Sequence, residues 1–226
     1  MKYVNAHCHL ASGVLPSDIA VAITNAARVS DWDDVIKISK NRGVYGAIGV
    51  HPWYISGLPS DWALRMRELL TAYPDLMVGE IGLDKNYPDM SGQIDVFRTQ
   101  LKTACDMGRT VHIHCVGAWD KLLGVISEYT PSAIVLHDFA ASLEIASVLE
   151  KYNSYFSFGR AICRPTCTRA VNALCHVSRN RILSESDTAI PLDVIMVVEK
   201  MANILNVSVA DVVNTVYNNV IGLLKK

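Results

Sequence analysis

Short hydrophobic runs that favour β-structure alternate along this chain with longer amphipathic segments. The runs occupy residues 2–6, 19–25, 44–50, 76–80, 110–115, 133–137, 154–158 and 181–185. Strands that alternate with helical segments are typical of parallel β/α units, and all-β and all-α folds lack this pattern. Eight strands close a barrel, and 226 residues lie near the lower end of the range of about 200 to 400 residues for such barrels. The sequence therefore predicts an α/β fold, a (β/α)₈ TIM-like barrel.

The amphipathic segments predict helices at about 31–41, 60–72, 91–107, 118–128, 141–150, 165–178, 191–205 and 208–223. The first connection is an exception, because only about residues 10–18, with Gly13 and Pro16, separate the first two predicted strands. A parallel crossover normally needs a dozen or more residues and a helix. Either a loop replaces the first helix, or the second strand is misassigned. We predict a barrel with a shortened first β/α connection, and a single domain over residues 1–226.

Composition excludes several classes of protein. No stretch approaches the roughly 18 consecutive apolar residues of a membrane span, and the first residues lack the apolar core of a secretory signal. We therefore expect a cytoplasmic protein whose six cysteines are reduced thiols. The net charge of −1 gives no global basic field, so any contact with nucleic acid must be local.

Histidines and carboxylates cluster where the predicted strands end. His7-Cys8-His9 lies at the end of the first strand, the fourth strand ends in Glu80, the fifth in His112-Ile113-His114, the sixth in His137 and the eighth in Glu185-Ser186-Asp187. Residues i and i+2 of an extended chain lie on the same side, so His7 and His9 can reach one ion. Of the seven histidines, only His176 falls on a predicted helix. Because barrel active sites lie at the C-terminal ends of the strands, we predict one metal site at this rim.

The donor types limit the choice of ion. Neutral imidazoles together with carboxylates suit Zn²⁺, Mn²⁺ or Co²⁺, and a bridging carboxylate also permits Mg²⁺. Four histidines, one Glu and one Asp exceed what one tetrahedral ion requires. Two ions about 3.5–4 Å apart that share a carboxylate would use them all. We therefore predict two divalent metal ions as cofactors.

The ordered set of motifs resembles the TatD family of metal-dependent deoxyribonucleases, within the amidohydrolase-like barrels. These motifs are His-x-His (7–9), Gly-Val-His-Pro (49–52), Gly-Glu-Ile-Gly-Leu-Asp (79–84), Ile-His (113–114), His-x-Phe (137–139), Ser-Phe-Gly (157–159) and Glu-x-Asp (185–187). They span almost the whole chain, and the Gly-Glu-Ile-Gly-Leu-Asp motif is the most specific. The resemblance implies hydrolysis of phosphodiester bonds in DNA by a metal-activated water.

The resemblance also implies a role for particular residues. It assigns His7 and His9 to one ion, Glu80 to both ions as a bridge, His114 and His137 to the second ion, Asp187 to a metal and to the attacking water, and His51 to the substrate phosphate. Glu80 and Asp187 would thus be the catalytic carboxylates. His112 lies one layer deeper than His114, and we interpret it as a core or supporting residue.

Two positions depart from the family pattern. Asn5 stands where an acidic residue usually precedes the first histidine, which predicts weaker support for that ligand. Val116 stands where an Arg commonly follows the fifth-strand histidine, which removes an expected phosphate contact. Arg160 and Arg164 follow the seventh strand on the same rim. They could supply the missing phosphate contact, or they could simply be the solvated start of a helix.

Two other functions remain open from the sequence. The same barrel and metals could hydrolyse a C–N or C–O bond of a small molecule, because a barrel fold does not fix function. Many such enzymes bridge their metals with a modified Lys at strand 4, where this chain has Glu80. The other alternative is a degenerate metal-binding protein without turnover, although all of its ligand positions are filled.

Overall fold

A computed structural model describes residues 1–225 of the protein. Eight parallel strands form one sheet in sequence order, each pairing with the next. The strands are β1 (Tyr3–Cys8), β2 (Ile19–Asn25), β3 (Val44–Ile48), β4 (Met77–Asp84), β5 (Val111–Val116), β6 (Ile134–Leu136), β7 (Ser154–Phe158) and β8 (Ile182–Ser184). The strands alternate with helices, which confirms the predicted (β/α)₈-like barrel.

The first and last strands meet side by side and nearly close the barrel. Ser184 Oγ donates a hydrogen bond of 3.1 Å to the carbonyl of Val4 in the neighbouring strand. Just beyond β8, the backbone N–H of Asp187 donates to the carbonyl of His7 at 3.1 Å. The residues that follow β8 are therefore held directly against the end of β1.

Eight helices surround the strands among the described residues. They are α1 (Trp32–Ser39), α2 (Trp62–Ala72), α3 (Met90–Asp106), α4 (Trp119–Ile126), α5 (Leu143–Leu149), α6 (Thr168–His176), α7 (Val194–Leu205) and α8 (Val209–Leu224). Residues 9–18 between β1 and β2 contain no helix. The shortened first connection is thus confirmed, and the second strand lies where it was predicted.

Two strands extend further than predicted. β1 continues to Cys8 instead of ending near residue 6, and β4 continues to Asp84 instead of ending near residue 80. Every residue of β4 is buried. His7 and Glu80 therefore lie within strands instead of beyond or at their ends.

A close approach between β4 and β5 requires glycine at one position. Gly82 has φ +147°, and a Cβ at this residue would lie 1.9 Å from the carbonyl oxygen of His114. Only glycine adopts such a backbone readily and leaves room for the neighbouring strand. This contact fixes the backbone of His114 against the strand that carries Glu80.

Two further features bear on the expectations from composition. Among the described residues, no helix has both the length and the apolar character that crossing a bilayer would require. All six cysteines carry free thiols, and the buried Cys8 thiol donates a hydrogen bond to the carbonyl of Ile23.

Candidate metal centre

Glu80 lies at the centre of a cluster of imidazoles inside the C-terminal end of the barrel. One of its oxygens, Oε2, lies 3.3 Å from Nε2 of His7 and 3.4 Å from Nε2 of His9. Oδ1 of Asp187 lies 3.3 Å from Nε2 of His9 and 3.8 Å from Nε2 of His7. These four side chains bring one donor atom each to within 4.8 Å of the others. They form the first donor group, drawn from β1, β4 and the segment after β8.

The other oxygen of Glu80, Oε1, faces a second group of imidazoles. It lies 2.8 Å from Nε2 of His137, 3.2 Å from Nδ1 of His114 and 3.2 Å from Nε2 of His51. Nδ1 of His114 and Nε2 of His137 are only 3.0 Å apart. The structure therefore brings the other five predicted metal-ligand residues together around the carboxylate of Glu80. It also places His51, which was predicted at the substrate phosphate, in direct contact with Glu80.

The donor atoms fit divalent ions. Both ring nitrogens of His7 are buried and make no hydrogen bond with the described residues, although Nε2 lies 3.3 Å from Oε2 of Glu80. Buried polar atoms are normally satisfied, so an unpartnered imidazole at this position indicates a missing ligand. In addition, three imidazole nitrogens crowd around one oxygen of Glu80. Imidazole nitrogens and carboxylate oxygens in this combination are the usual ligands of ions such as Zn²⁺ and Mn²⁺.

The electrostatics of the first donor group keep its carboxylates ionised. Burial would raise the pKa of Glu80, but the charge of His137 and hydrogen bonds from the imidazoles hold it well below its usual value. Burial would also raise the pKa of Asp187, but hydrogen bonding to His9 and the charge of His137 lower it to about 2. Burial lowers the pKa of His9, yet hydrogen bonds to Asp187 and Glu80 outweigh that effect and raise it to about 10. Negative carboxylates at neutral pH are the form that binds cations.

A buried carboxylate orients His137 from behind. Oε1 of Glu185 lies 3.3 Å from Nδ1 of His137 and accepts a hydrogen bond of 2.7 Å from the backbone N–H of Asp138. Burial would lower the pKa of His137, but Glu80 and Glu185 together raise it well above its usual value. Supporting carboxylates of this kind fix the tautomer and orientation of metal-binding histidines. Sequence reasoning included Glu185 in a motif without giving it a role.

Asp84 orients His114 in the same way as Glu185 orients His137. Its Oδ2 lies 3.4 Å from Nε2 of His114 and accepts a hydrogen bond of 2.7 Å from the indole nitrogen of Trp53. Burial would raise the pKa of Asp84, but the hydrogen bond from Trp53 and other donors lower it. Asp84 ends the most specific sequence motif, and its position at the end of β4 was the only signal that could have indicated this role.

His51 begins a short 3₁₀ turn over Pro52–Tyr54. Its Nδ1 accepts a hydrogen bond of 3.2 Å from the backbone N–H of Trp53, which leaves Nε2 to face Glu80. Burial lowers the pKa of His51, despite its hydrogen bond to Glu80. His51 is therefore placed either to complete the second donor group or to contact a substrate held beside it.

A cavity of about 310 Å³ opens over the two donor groups. It is lined by His9, Ala27, His51, Trp53, Tyr54, Glu80, His114, His137 and Asp187. A larger cavity of about 810 Å³ lies where the strands begin and includes Lys2, Arg42 and Tyr217. The described lining of that larger cavity contains no His, Cys, Asp or Glu. The smaller cavity, in contrast, is lined by residues of both donor groups.

The remaining residues that the sequence singled out lie around this centre. His112 is fully buried below it, with its ring 5.6 Å from that of His7. The Asn5 side chain bonds Ser186 instead of a ligand histidine. Val116 is half-buried beside Asp84 in the β4–β5 register. Arg160 is exposed in a 3₁₀ turn after β7 and is not among the described lining residues of the cavity.

Comparison with known proteins places this chain in a family. The family model described as "TatD related DNase" matches residues 5–225. The chain belongs to this family. TatD membership confirms the resemblance that the motifs carried.

Individual TatD relatives are distant in sequence and close in fold. A 3'-5' ssDNA/RNA exonuclease TatD from Erwinia billingiae is 26% identical over 158 residues, which cover 56% of this chain and 60% of the relative. An uncharacterized metal-dependent hydrolase from Methanocaldococcus jannaschii is 21% identical over 100% of this chain and 98% of its own. The crystal structure of YJJV, a TatD homologue from Escherichia coli K12, superposes with a TM-score of 0.88 at 19% identity, covering 99% of this chain and 98% of that one.

Proposed function

We propose that this TatD-family chain is a metal-dependent hydrolase that cleaves phosphodiester bonds at the ends of single-stranded nucleic acid, with DNA as the expected substrate. The observation that carries the proposal is the pair of donor groups joined through Glu80, whose two oxygens face different sets of imidazoles. A shared carboxylate between two groups of ligands is the arrangement of dinuclear hydrolytic sites. The cavity above it gives a substrate access to both groups.

The proposed cofactors are two divalent metal ions, with Zn²⁺, Mn²⁺ and Mg²⁺ as the candidates. His7, His9, Glu80 and Asp187 would hold one ion. Glu80, His114 and His137 would hold the other, with His51 adjacent. Ions bound there would neutralise the phosphate, lower the pKa of a water molecule and stabilise the leaving oxygen.

The protein's own side chains supply the orientation. The Asp187 side chain is 41% exposed and faces the cavity, so its ionised carboxylate can accept a hydrogen bond from a water molecule and align it. His51 lines the same cavity and can contact a phosphate oxygen of the substrate. Glu80 stays buried and anchors both groups. Arg160 is proposed to contact the sugar-phosphate backbone of the nucleic acid outside the cavity.

Cavity size and the relatives support the substrate proposal. A volume of about 310 Å³ lies at the lower end of the range of roughly 300–1,000 Å³ for small-molecule sites, and thus suits one terminal residue of a polymer better than a long duplex. The Erwinia relative is named an exonuclease acting on single-stranded DNA and RNA. This chain matches 60% of the length of that relative, so exonuclease activity has to be tested directly on this protein.

The deciding experiment removes all metal, restores one ion at a time and offers several substrates in parallel. Single-stranded DNA, single-stranded RNA, a chromogenic phosphodiester, amides and lactones would each be followed to product. We expect metal-dependent release of nucleotides and no turnover of amides or lactones. Turnover of amides or lactones without any nucleotide release would instead establish the small-molecule alternative, and no turnover at all would indicate a degenerate metal-binding protein.

A further inference from the structure

An exposed tryptophan forms part of the wall of the metal-centre cavity. Trp53 is 43% exposed, although its indole nitrogen is already satisfied by Asp84. The part of Trp53 that remains in contact with water is therefore mainly apolar ring surface. Tyr87 stacks on this indole with ring centroids 4.5 Å apart and planes 16° from parallel, and it is itself 39% exposed. Trp53 and Tyr87 thus form an aromatic pair.

The aromatic pair is fixed relative to the metal centre. The carboxylate that accepts the Trp53 indole N–H also lies 3.4 Å from Nε2 of His114. The backbone N–H of Trp53 donates to Nδ1 of His51, whose other nitrogen faces Glu80. The side chain of Trp53 is thus tied to His114 through Asp84, and its backbone is tied directly to His51. A ring so constrained gives up little conformational entropy when a flat group stacks on it.

A cation lies on the same rim. The Arg28 guanidinium sits 4.1 Å from the ring centroid of Tyr54 and donates to the Tyr54 hydroxyl at 3.1 Å. Tyr54 lines the cavity beside Trp53. Arg28 is exposed, so its remaining N–H groups can meet a phosphate. Aromatic surface beside a basic side chain is the combination by which proteins bind single-stranded nucleic acid.

We propose that the aromatic pair stacks the base of the terminal nucleotide while Arg28 contacts the backbone, so that the adjacent phosphate lies over the two donor groups. This inference rests on the proposed function and adds the part of the substrate that is recognised. Every base has a π-face, so the recognition does not depend on sequence. An unpaired end can present its base in this way, whereas the bases inside a duplex are already stacked on each other.

The test compares two single-stranded oligonucleotides of equal length with the metal-loaded protein. One has an ordinary 3'-terminal nucleotide, and the other has an abasic residue at that end. Stacking of one base contributes about 1–3 kcal/mol, equivalent to roughly 5- to 150-fold in KM. We expect the wild type to show a KM lower by such a factor for the ordinary end. Trp53→Leu should abolish this difference, Trp53→Phe should restore most of it, and Tyr87→Leu should reduce it.

Matched controls separate the inference from the function on which it rests. Tyr217 is 39% exposed but lines the cavity at the opposite end of the barrel, so Tyr217→Leu should keep the full preference. Hydrolysis of a chromogenic phosphodiester and the metal content show whether Trp53→Leu retains its centre. Nucleotide release with equal KM for both ends in the wild type, or an unchanged preference in Trp53→Leu, would overturn the stacking inference alone. Absence of nucleotide release from every strand would overturn both proposals.

Discussion

Asn5 and Ser186 form a reciprocal pair of hydrogen bonds across the seam between β1 and the segment after β8. The backbone N–H of Ser186 donates to Oδ1 of Asn5 at 3.0 Å, and Nδ2 of Asn5 donates to Oγ of Ser186 at 2.8 Å. Both residues are fully buried. Ser186 immediately precedes Asp187, so the asparagine positions that carboxylate through the backbone of its neighbour.

Asn5→Ala is therefore expected to lower stability and turnover together. The substitution leaves the Ser186 N–H and hydroxyl without this partner, which costs about 1–3 kcal/mol for a buried donor. Urea unfolding would measure the stability change, and nucleotide release would measure turnover. Asn203→Ala, at an exposed position of α7, should leave both within error. Unchanged turnover in Asn5→Ala would show that Asp187 is positioned by other contacts.

Metal content should depend on Glu80 more than on any single histidine. Because its two oxygens face both donor groups, Glu80→Ala should reduce the content from about two ions per chain to nearly none. His7→Ala or His9→Ala should remove the ion of the first group and retain much of the second. Elemental analysis after reconstitution provides the measurement, with the exposed Glu68→Ala as control. A wild-type content near zero would contradict the site assignment.

Asp187→Asn should separate turnover from metal binding. The amide keeps the size of the carboxylate but loses its charge and its capacity to accept a proton, so kcat should fall by about 10²- to 10⁴-fold. Most of the metal should remain, because the buried Glu80 and the histidines are unchanged. Asp75→Asn, in an exposed loop, is the matched control. Near-normal kcat in Asp187→Asn would place water activation elsewhere.

Gly82→Ala should be strongly destabilising, since its Cβ would lie 1.9 Å from the carbonyl oxygen of His114 and φ is +147°. Backbone strain and overpacking together are expected to cost about 2–5 kcal/mol. Gly124→Ala, on α4 with open space around the new methyl group, should instead raise stability by about 0.5–1 kcal/mol. Thermal unfolding of the two variants tests this contrast. Equal melting temperatures would show that β4 and β5 can separate at this point.

Val116→Arg should strengthen contact with single strands. Val116 ends β5 at the rim and is half-buried beside Asp84. One additional phosphate contact should steepen the slope of log affinity against log salt by about 0.7 for single strands. Turnover on oligonucleotides should rise, whereas hydrolysis of a small chromogenic phosphodiester should not. A salt dependence identical to that of the wild type would show that the new guanidinium does not reach the backbone.

The sequence predicted the barrel better than it predicted strand ends and supporting contacts, and the residues that it proposed as ligands do lie together. His7 was predicted to lie just beyond its strand, and Glu80 to be the last residue of its strand. In this barrel they point inward from strands that continue to Cys8 and Asp84. The carboxylate that supports His137 is Glu185, 48 residues away, and no local pattern encodes such a pairing. The short connection after the first strand allowed either a lost helix or a misassigned second strand. The pairing of β1 with β2 was needed to decide between these two interpretations.

The seam between the first and last strands also determines at which stage of folding the first donor group can form. His7 and His9 belong to the first strand and its end, whereas Asp187 follows the last, so the first donor group requires contact between segments about 180 residues apart. Contacts over such a sequence separation form only after a large loss of chain entropy. A nascent or partly folded chain therefore cannot assemble this group. An ion bound there would link the first strand to the segment after the last strand of the completed barrel. The binding free energy of that ion would add to the stability of the closed barrel. Metal depletion should therefore open the barrel first at this seam.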